Sequence, residues 1–280
     1  MRARVVFGTL AALIGFYGAA AAVALAIGLA LPKEWVDGRW SALMSSLPVV
    51  VAALAVNGVL VWRGWATWRM LGWTGDRRDV GAWWRGAAVG ALIAAVALAV
   101  AIVVGGARIE VTGERFSAYL AVALPLAVGL VVAALAEELL FRGYPLARLA
   151  EPVGKVWASL VLAVVFAAAH GANPDVAPLG LVNVGLASLV LSAAFFTPGG
   201  LPLAWGVHFG WNGGLALGAD APVSGLTFDI PVLGFLPGRS TWVTGGAFGP
   251  EGGVAASVAM AGALIWLSRR AARAGEGERT

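Results

Sequence analysis

Apolar stretches long enough to cross a membrane recur along almost the whole chain. A membrane-spanning helix needs about 20 apolar residues to cross roughly 30 Å of hydrocarbon. Eight stretches come near that length, and we predict a transmembrane helix in each: residues 5–31, 43–62, 86–106, 117–141, 156–172, 178–196, 200–218 and 252–268. The expected fold class is therefore all-α, a polytopic integral membrane bundle with about eight transmembrane helices.

The first stretch allows two interpretations. It follows Arg2 and Arg4, and residues 19–22 are small, as at the cleavage site of a secretory signal peptide. However, the stretch is about 27 residues long, whereas the apolar region of a signal peptide has about 7–15. We therefore expect a first anchor helix.

The composition agrees with a membrane environment. Hydrophobic residues make up 60% of the 280 residues and charged residues 12%, with a mean hydropathy of +0.86, whereas a soluble domain carries about 25% charge. The net charge of +4 would suit nucleic acid, but the basic residues stand in short clusters between apolar stretches. We expect membrane lipid around the chain and no nucleic-acid partner. The absence of cysteine excludes thiolate metal sites and a cysteine nucleophile.

The distribution of basic residues predicts the orientation in the membrane. With eight spans, 14 of the 19 Lys and Arg fall on one side, in the N-terminus, in 63–85, in 142–155 and after 268. Cytoplasmic loops carry the excess of Lys and Arg. We therefore expect a multi-pass protein of the cell inner or plasma membrane with both termini cytoplasmic. Residues 63–85 also hold five tryptophans and resemble an interfacial connector.

A group of ionisable residues stands at the end of the fourth span, where charge is costly. Glu137, Glu138 and Arg142 lie in or near hydrocarbon, where each isolated charge costs roughly 2.5–3.5 kcal/mol. Glu138 and Arg142 are four residues apart, so an ion pair within the helix is available to them. Glu137 points about 100° away and needs another partner.

The two histidines of the chain also fall inside apolar spans. His170 follows Phe166 by four residues on the fifth span, and His208 precedes Asn212 by four on the seventh, so each pair shares a helix face. Three helices are thus able to bring Glu137, His170, His208 and Asn212 to one polar pocket.

Such a pocket suits hydrolysis by an activated water molecule. A carboxylate partly removed from water serves as a general base, and an imidazole beside it carries the proton on to a leaving amine. A second imidazole and a carboxamide donate hydrogen bonds to the oxyanion. The same side chains are also suited to hold a divalent metal ion that activates the water.

At these positions the sequence resembles the CPBP family of intramembrane proteases, which includes the Rce1-type CAAX prenyl proteases and the bacterial Abi proteins. The family motifs are Glu-Glu-x-x-x-Arg, Phe-x-x-x-His and His-x-x-x-Asn. They are matched, in family order, by Glu137, Glu138, Arg142, Phe166, His170, His208 and Asn212. Residues 197–205 and 242–253 are similar to stretches found in bacterial members.

The resemblance implies a role for each catalytic residue. Glu137 would activate water together with His170, while His208 and Asn212 would stabilise the oxyanion. Members are described both as glutamate-dependent and as metal-dependent enzymes, and in the second case Glu137, His170 and His208 would hold a metal such as zinc. Because the chain has no cysteine and no His-Glu-x-x-His motif, we expect no cofactor.

The supporting residues would be Glu138, Arg142 and Phe166, and the activity implied is that of an intramembrane endopeptidase. It would hydrolyse a peptide bond of a membrane-associated or hydrophobic protein or peptide with water activated by glutamate. The alternative is a non-proteolytic membrane protein, either a proton-coupled transporter or a scaffold or chaperone. A transporter of this kind is expected to carry inverted repeats, and the sequence shows no clear repeat.

One membrane domain is expected, with three regions. Residues 1–116 would form the N-terminal transmembrane helices and the connector, 117–218 the CPBP-like catalytic core, and 219–280 a loop and the last transmembrane helix. The histidines and Glu137 reach a common depth only if the fourth helix continues past Arg142 toward Arg148. We expect this continuation, with the site open to the cytoplasmic half of the membrane.

Overall fold

The chain forms a helical bundle with one short β-ribbon. The structure, a computed structural model, describes the backbone of residues 2–277 and the side chains of residues 5–273. The helices are α1 (Arg2–Ala30), α2 (Lys33–Val36), α3 (Ser41–Trp62), α4 (Arg77–Val103), α5 (Phe116–Glu138), α6 (Tyr144–Val153), α7 (Lys155–Ala169), α8 (Pro178–Phe195), α9 (Gly200–Ala219), α10 (Thr241–Thr244) and α11 (Val254–Gly277). A π-helical turn, Leu139–Gly143, joins α5 to α6, and the 3-10 turns Gly246–Phe248 and Pro250–Gly252 precede α11.

Every predicted span coincides with a helix. Five segments in the described residues are long and apolar enough to cross a membrane: Val5–Ala30, Ser41–Trp62, Arg77–Val103, Phe116–Val153 and Pro178–Phe195. Helix α7 is apolar but shorter. The protein is therefore an all-α integral membrane bundle as predicted, and the count of eight crossings stays a prediction.

Helix α4 begins nine residues before the predicted span at 86. Asp76 caps its N-terminus by accepting a hydrogen bond from the Arg78 backbone N–H at 2.8 Å. Asp79 accepts from the backbone N–H groups of Thr74 and Gly75 just before the helix. The polar connector is thus shorter than predicted. Residues 77–85, which were assigned to the connector, already belong to α4.

Helices α4 and α9 pack in backbone contact and run parallel. A Cβ atom added at Gly90 would stand 2.0 Å from the Val207 carbonyl oxygen, and one added at Gly210 would stand 2.1 Å from the Ala87 carbonyl oxygen. Glycines four residues apart on each helix, Gly86 with Gly90 and Gly206 with Gly210, allow this approach. His208 lies between the two glycines of α9, so this contact fixes the backbone that carries it.

A two-stranded antiparallel ribbon ties the far ends of α4 and α9. Strand β1 (Arg108–Val111) pairs with β2 (Leu233–Leu236), with Arg108 opposite Leu236. We call the face where α3 ends and α4 begins the basic face, because the predicted basic connectors lie there. The ribbon and the start of α3 lie at the other end, which we call the distal face.

Candidate active site

The π-helical turn between α5 and α6 keeps the first motif inside the bundle. It interrupts the regular ladder of backbone hydrogen bonds. The buried Asn57 side chain of α3 forms hydrogen bonds with backbone groups beside this turn. The Asn57 amide nitrogen lies 3.4 Å from the Leu139 carbonyl oxygen, and its oxygen accepts from the Tyr144 N–H at 3.3 Å. The helix continues beyond the turn to Val153. This continuation is the one expected from the common depth of Glu137 and the two histidines.

Glu138 and Arg142 form a fully buried ion pair. Their side chains are 0% exposed and 3.2 Å apart. The Arg142 guanidinium also donates to the Ser188 hydroxyl at 2.8 Å and to the Ser188 carbonyl oxygen at 3.1 Å, and it lies 4.7 Å from the centre of the Phe166 ring. A buried charge without such partners would cost several kcal/mol. Arg142 therefore contacts both of the other predicted supporting residues, Glu138 and Phe166.

Glu138 also orients His208. Its Oε1 atom accepts a hydrogen bond from His208 Nδ1 at 2.8 Å. Because an ionised carboxylate only accepts, Nδ1 carries a proton. The other ring nitrogen, Nε2, lies 3.8 Å from Oε2 of Glu137.

His170 presents the same atom to Glu137 from another helix. It caps the C-terminus of α7, and its Nδ1 lies 2.8 Å from the Phe166 carbonyl oxygen. A carbonyl oxygen only accepts, so Nδ1 is the donor and Nε2 of the neutral ring is an acceptor. This Nε2 lies 3.9 Å from Oε2 of Glu137.

Oε2 of Glu137 is therefore the point at which three helical segments meet. The side chain is 33% exposed, yet Oε2 itself is buried and has no hydrogen-bond partner among the described residues. Distances of 3.8 and 3.9 Å are too long for direct hydrogen bonds. Asn212, one turn beyond His208 on α9, lines the same cavity. The structure thus brings together all four residues predicted to be catalytic.

The cavity above Glu137 has a volume of about 940 Å³ and mostly apolar walls. The exposed residues of its lining belong to the start of α3, the end of α7 and the loop after α9: Arg39, Ser41, Ser45, Ala169, Leu226, Thr227 and Asp229. All three places lie toward the distal face, and the residues at the start of α3 and in the loop after α9 mark the mouth. The lining residues therefore indicate an opening at the distal face, whereas the expected opening was toward the basic face, which is the side predicted to be cytoplasmic.

The depth of Glu137 below the mouth follows from the packing of α3 on α5. Ala42 at the start of α3 lies against Gly129 of α5, where an added Cβ would stand 2.6 Å from the Ala42 Cβ. Glu137 is eight residues further along α5, which is about 12 Å at 1.5 Å per residue. The carboxylate therefore lies well inside the bundle.

A family comparison supports the assignment. Residues 119–214 match the model of the Rce1-like family, described as type II CAAX prenyl endopeptidase Rce1-like. This match supports assignment to the CPBP family of CAAX-type proteases. Searches of curated proteins and of solved structures find no match. The Rce1-like match contains every motif residue of the site, and family membership supports a membrane-embedded endopeptidase.

One buried acid lies in the same cavity but outside the residues of the Rce1-like match. Glu251 is 5% exposed and lines the cavity with Glu137. Its carboxylate accepts from Trp211 Nε1 at 2.6 Å, from the Ser224 hydroxyl at 2.7 Å and from the Ser224 backbone N–H at 2.5 Å. Glu251 lies in the segment 242–253 but was not predicted as a site residue, although an acid among glycines just before an apolar span was a usable signal.

If a metal ion took part in the reaction, Glu137, His170 and His208 would hold it. These three side chains face one another, but in the described part of the chain no group of three or more His, Asp or Glu side chains has the arrangement of a metal site.

Proposed function

We propose that this CPBP-family protein is an intramembrane endopeptidase in which Glu137 activates the attacking water molecule. The observation that supports this most directly is the meeting of one carboxylate oxygen with two imidazole nitrogens at 3.8 and 3.9 Å. A water molecule placed beside these atoms reaches Oε2 of Glu137 and either Nε2 at ordinary hydrogen-bond distances.

The first step forms the new carbon–oxygen bond. Glu137 takes a proton from the water molecule while the water oxygen attacks the carbonyl carbon of the scissile peptide bond. Nε2 of His170, unprotonated in the neutral ring, accepts the other hydrogen of the water and holds the molecule in place. The Phe166 carbonyl oxygen, 2.8 Å from Nδ1, keeps the ring in this tautomer.

The second group of residues stabilises the oxyanion that results. When the His208 ring carries both protons, Nδ1 donates to Glu138 and Nε2 donates to the oxyanion. Arg142 balances the charge of Glu138 at 3.2 Å, and the Asn212 amide adds a second donor. Removal of one such donor typically lowers kcat about 100- to 1000-fold.

Collapse of the tetrahedral intermediate completes the reaction. The carbon–nitrogen bond breaks, and the leaving amine takes the proton that Glu137 received from water. The new carboxylic acid then gives its proton to the new amine, so the products are a carboxylate and an ammonium group, and no further reactant is needed.

The substrate class follows from the walls of the cavity. A polar pocket about 12 Å below the mouth of a cavity with mostly apolar walls suits a hydrophobic peptide segment or a protein held at the membrane. We propose that the substrate enters from the distal face, between the start of α3 and the loop after α9.

Glu137→Gln tests the mechanism. The substitution keeps the size of the side chain but removes the base, so we expect a loss of cleavage of at least about 100-fold. The measurement compares membranes that contain wild-type or variant protein by mass spectrometry of newly formed peptide termini. Glu114→Gln, before α5, is the matched control and should leave the termini unchanged.

Two results would separate the alternatives. If termini that depend on the protein persist in a correctly folded Glu137→Gln variant, the carboxylate is not the base. If wild-type membranes yield no new termini, a non-proteolytic membrane protein, the transporter or the scaffold, is the better account.

A further inference from the structure

A second cavity lies between α4, α9 and α11 at the basic face, away from the mouth of the active site. Its volume is about 490 Å³. Three arginines line it, Arg85 from α4 and Arg270 and Arg273 from α11, and all three are exposed. No salt bridge joins them to a carboxylate among the described side chains. The cavity therefore presents positive charge from two helices that the fold brings together.

The lining changes from charged to apolar with depth. On α4, Val89 lies one turn deeper than Arg85, and on α11, Leu267 lies one turn deeper than Arg270. Leu203 and Val207 of α9 complete the apolar floor. The cavity thus has a cationic rim at the membrane surface and a hydrocarbon-like interior below it.

Trp266 marks the level of this rim in the membrane. It lines the cavity and is 44% exposed, and the Arg270 guanidinium lies 4.9 Å from the centre of its ring. Tryptophan concentrates at the boundary between headgroups and acyl chains. The arginines therefore stand where lipid phosphates lie.

We propose that this cavity binds an anionic phospholipid. Its phosphate would pair with Arg85, Arg270 and Arg273, and one acyl chain would lie on Val89, Leu203 and Leu267. Guanidinium groups pair with phosphate through two parallel hydrogen bonds. The change from charged to apolar lining favours an anionic lipid over other occupants. A free phosphate would not contact the apolar floor, and a neutral lipid would not pair with the three arginines.

This inference does not depend on the proposed proteolysis. The lipid site uses none of the motif residues, and its test measures binding. The two cavities nevertheless share Val207, the residue before His208.

The experiment is native mass spectrometry of the full-length protein in detergent with added phosphatidylglycerol, phosphatidylcholine or inorganic phosphate. We expect retention of phosphatidylglycerol over phosphatidylcholine. Each Arg→Gln substitution should weaken it roughly fivefold, since one basic residue near an anionic surface contributes about 1 kcal/mol. The triple variant Arg85→Gln, Arg270→Gln, Arg273→Gln should lose the preference by about 100-fold.

Arg63→Gln is the matched control. Arg63 belongs to the same face and also lies over a tryptophan, 5.3 Å from the Trp62 ring, but it does not line the cavity. The Arg63→Gln variant should bind phosphatidylglycerol as the wild type does. The double variant Arg270→Lys, Arg273→Lys should keep most of the preference for phosphatidylglycerol. The thermal midpoint in phosphatidylcholine alone shows that each variant is folded.

Three results would overturn the proposal. They are equal retention of both lipids by the wild type, full retention by the folded triple variant, and displacement of the lipid by inorganic phosphate at similar concentration. The last result would identify a simple anion site.

Discussion

Two buried acids hold side chains of α9 in place around the candidate active site. Glu138 accepts from His208, and Glu251 accepts from Trp211, one turn further along the helix. Glu138 belongs to a recognised motif. Glu251 does not, yet it also joins α9 to Ser224 of the following loop. We interpret Glu251 as a positioning residue that sets the orientation of the His208 and Asn212 face.

Glu251→Gln should reduce cleavage about 10- to 100-fold while the protein stays folded. The reason is chemical, because the carboxylate accepts three hydrogen bonds and the NH2 group of glutamine would oppose one of these donors. The measurement is the yield of Glu137-dependent termini together with the thermal midpoint. Glu110→Gln on the exposed strand β1 is the control.

A purely structural role for Glu251 would give a different pattern. In Glu251→Gln the loss of cleavage would then be accompanied by a fall in the thermal midpoint. Glu251→Asp would show the same two losses. Recovery of cleavage by Glu251→Asp without a change in midpoint would support the positioning role.

At the scale of helices, the pair α4 and α9 supports the site through close backbone packing. The glycines on both helices leave no space for a side chain between the backbones. The spacing of four between Gly206 and Gly210 was visible in the sequence, but their partners on α4 were not. Which two helices meet depends on the whole bundle and not on local pattern.

Gly90→Ala should destabilise the protein by about 1–3 kcal/mol through overpacking. The new methyl group would stand 2.0 Å from the Val207 carbonyl oxygen and 2.7 Å from the Trp211 nitrogen, so α9 must shift. Gly218→Ala is the control, since a Cβ there meets nothing within 4 Å and alanine favours the helix. Thermal unfolding in detergent measures both, and an unchanged midpoint for Gly90→Ala would contradict this close packing.

The sequence predicted the helices better than their ends and connections. Long apolar stretches identify helices because hydrocarbon demands internal hydrogen bonding of the backbone. The start of α4 was missed because its first turn is charged, and the ribbon was missed because strands of four residues carry little pattern. The π-helical turn depends on Asn57, a residue that the motif does not contain.

At the scale of the whole molecule, the motif residues were predictable and the direction of access was not. Spacing within each helix fixes which side chains share a face, and the resemblance to the CPBP motifs added the expectation that Glu137, His170 and His208 meet. Access depends on where helices diverge. The rim residues Arg39 and Thr227 come from segments that carry no catalytic motif.

Single-cysteine labelling tests this access, because the natural chain has no cysteine. Thr227→Cys at the mouth and Thr67→Cys in the connector of the basic face are both exposed positions. If the basic face is cytoplasmic, a membrane-impermeant maleimide should label Thr227→Cys in intact cells and Thr67→Cys only after lysis. The reverse pattern would place the mouth in the cytoplasm.

The depth of Glu137 has a further consequence for the choice of peptide bond. An extended chain advances about 3.3 Å per residue, so roughly four residues fit between the rim at Arg39 and the carboxylate. Behind Glu137 stand Glu138 and Arg142, which are fully buried. A polypeptide that entered end first would therefore be stopped after a few residues, so under the proposed function the length of its terminal segment would join composition in deciding which bond is cut.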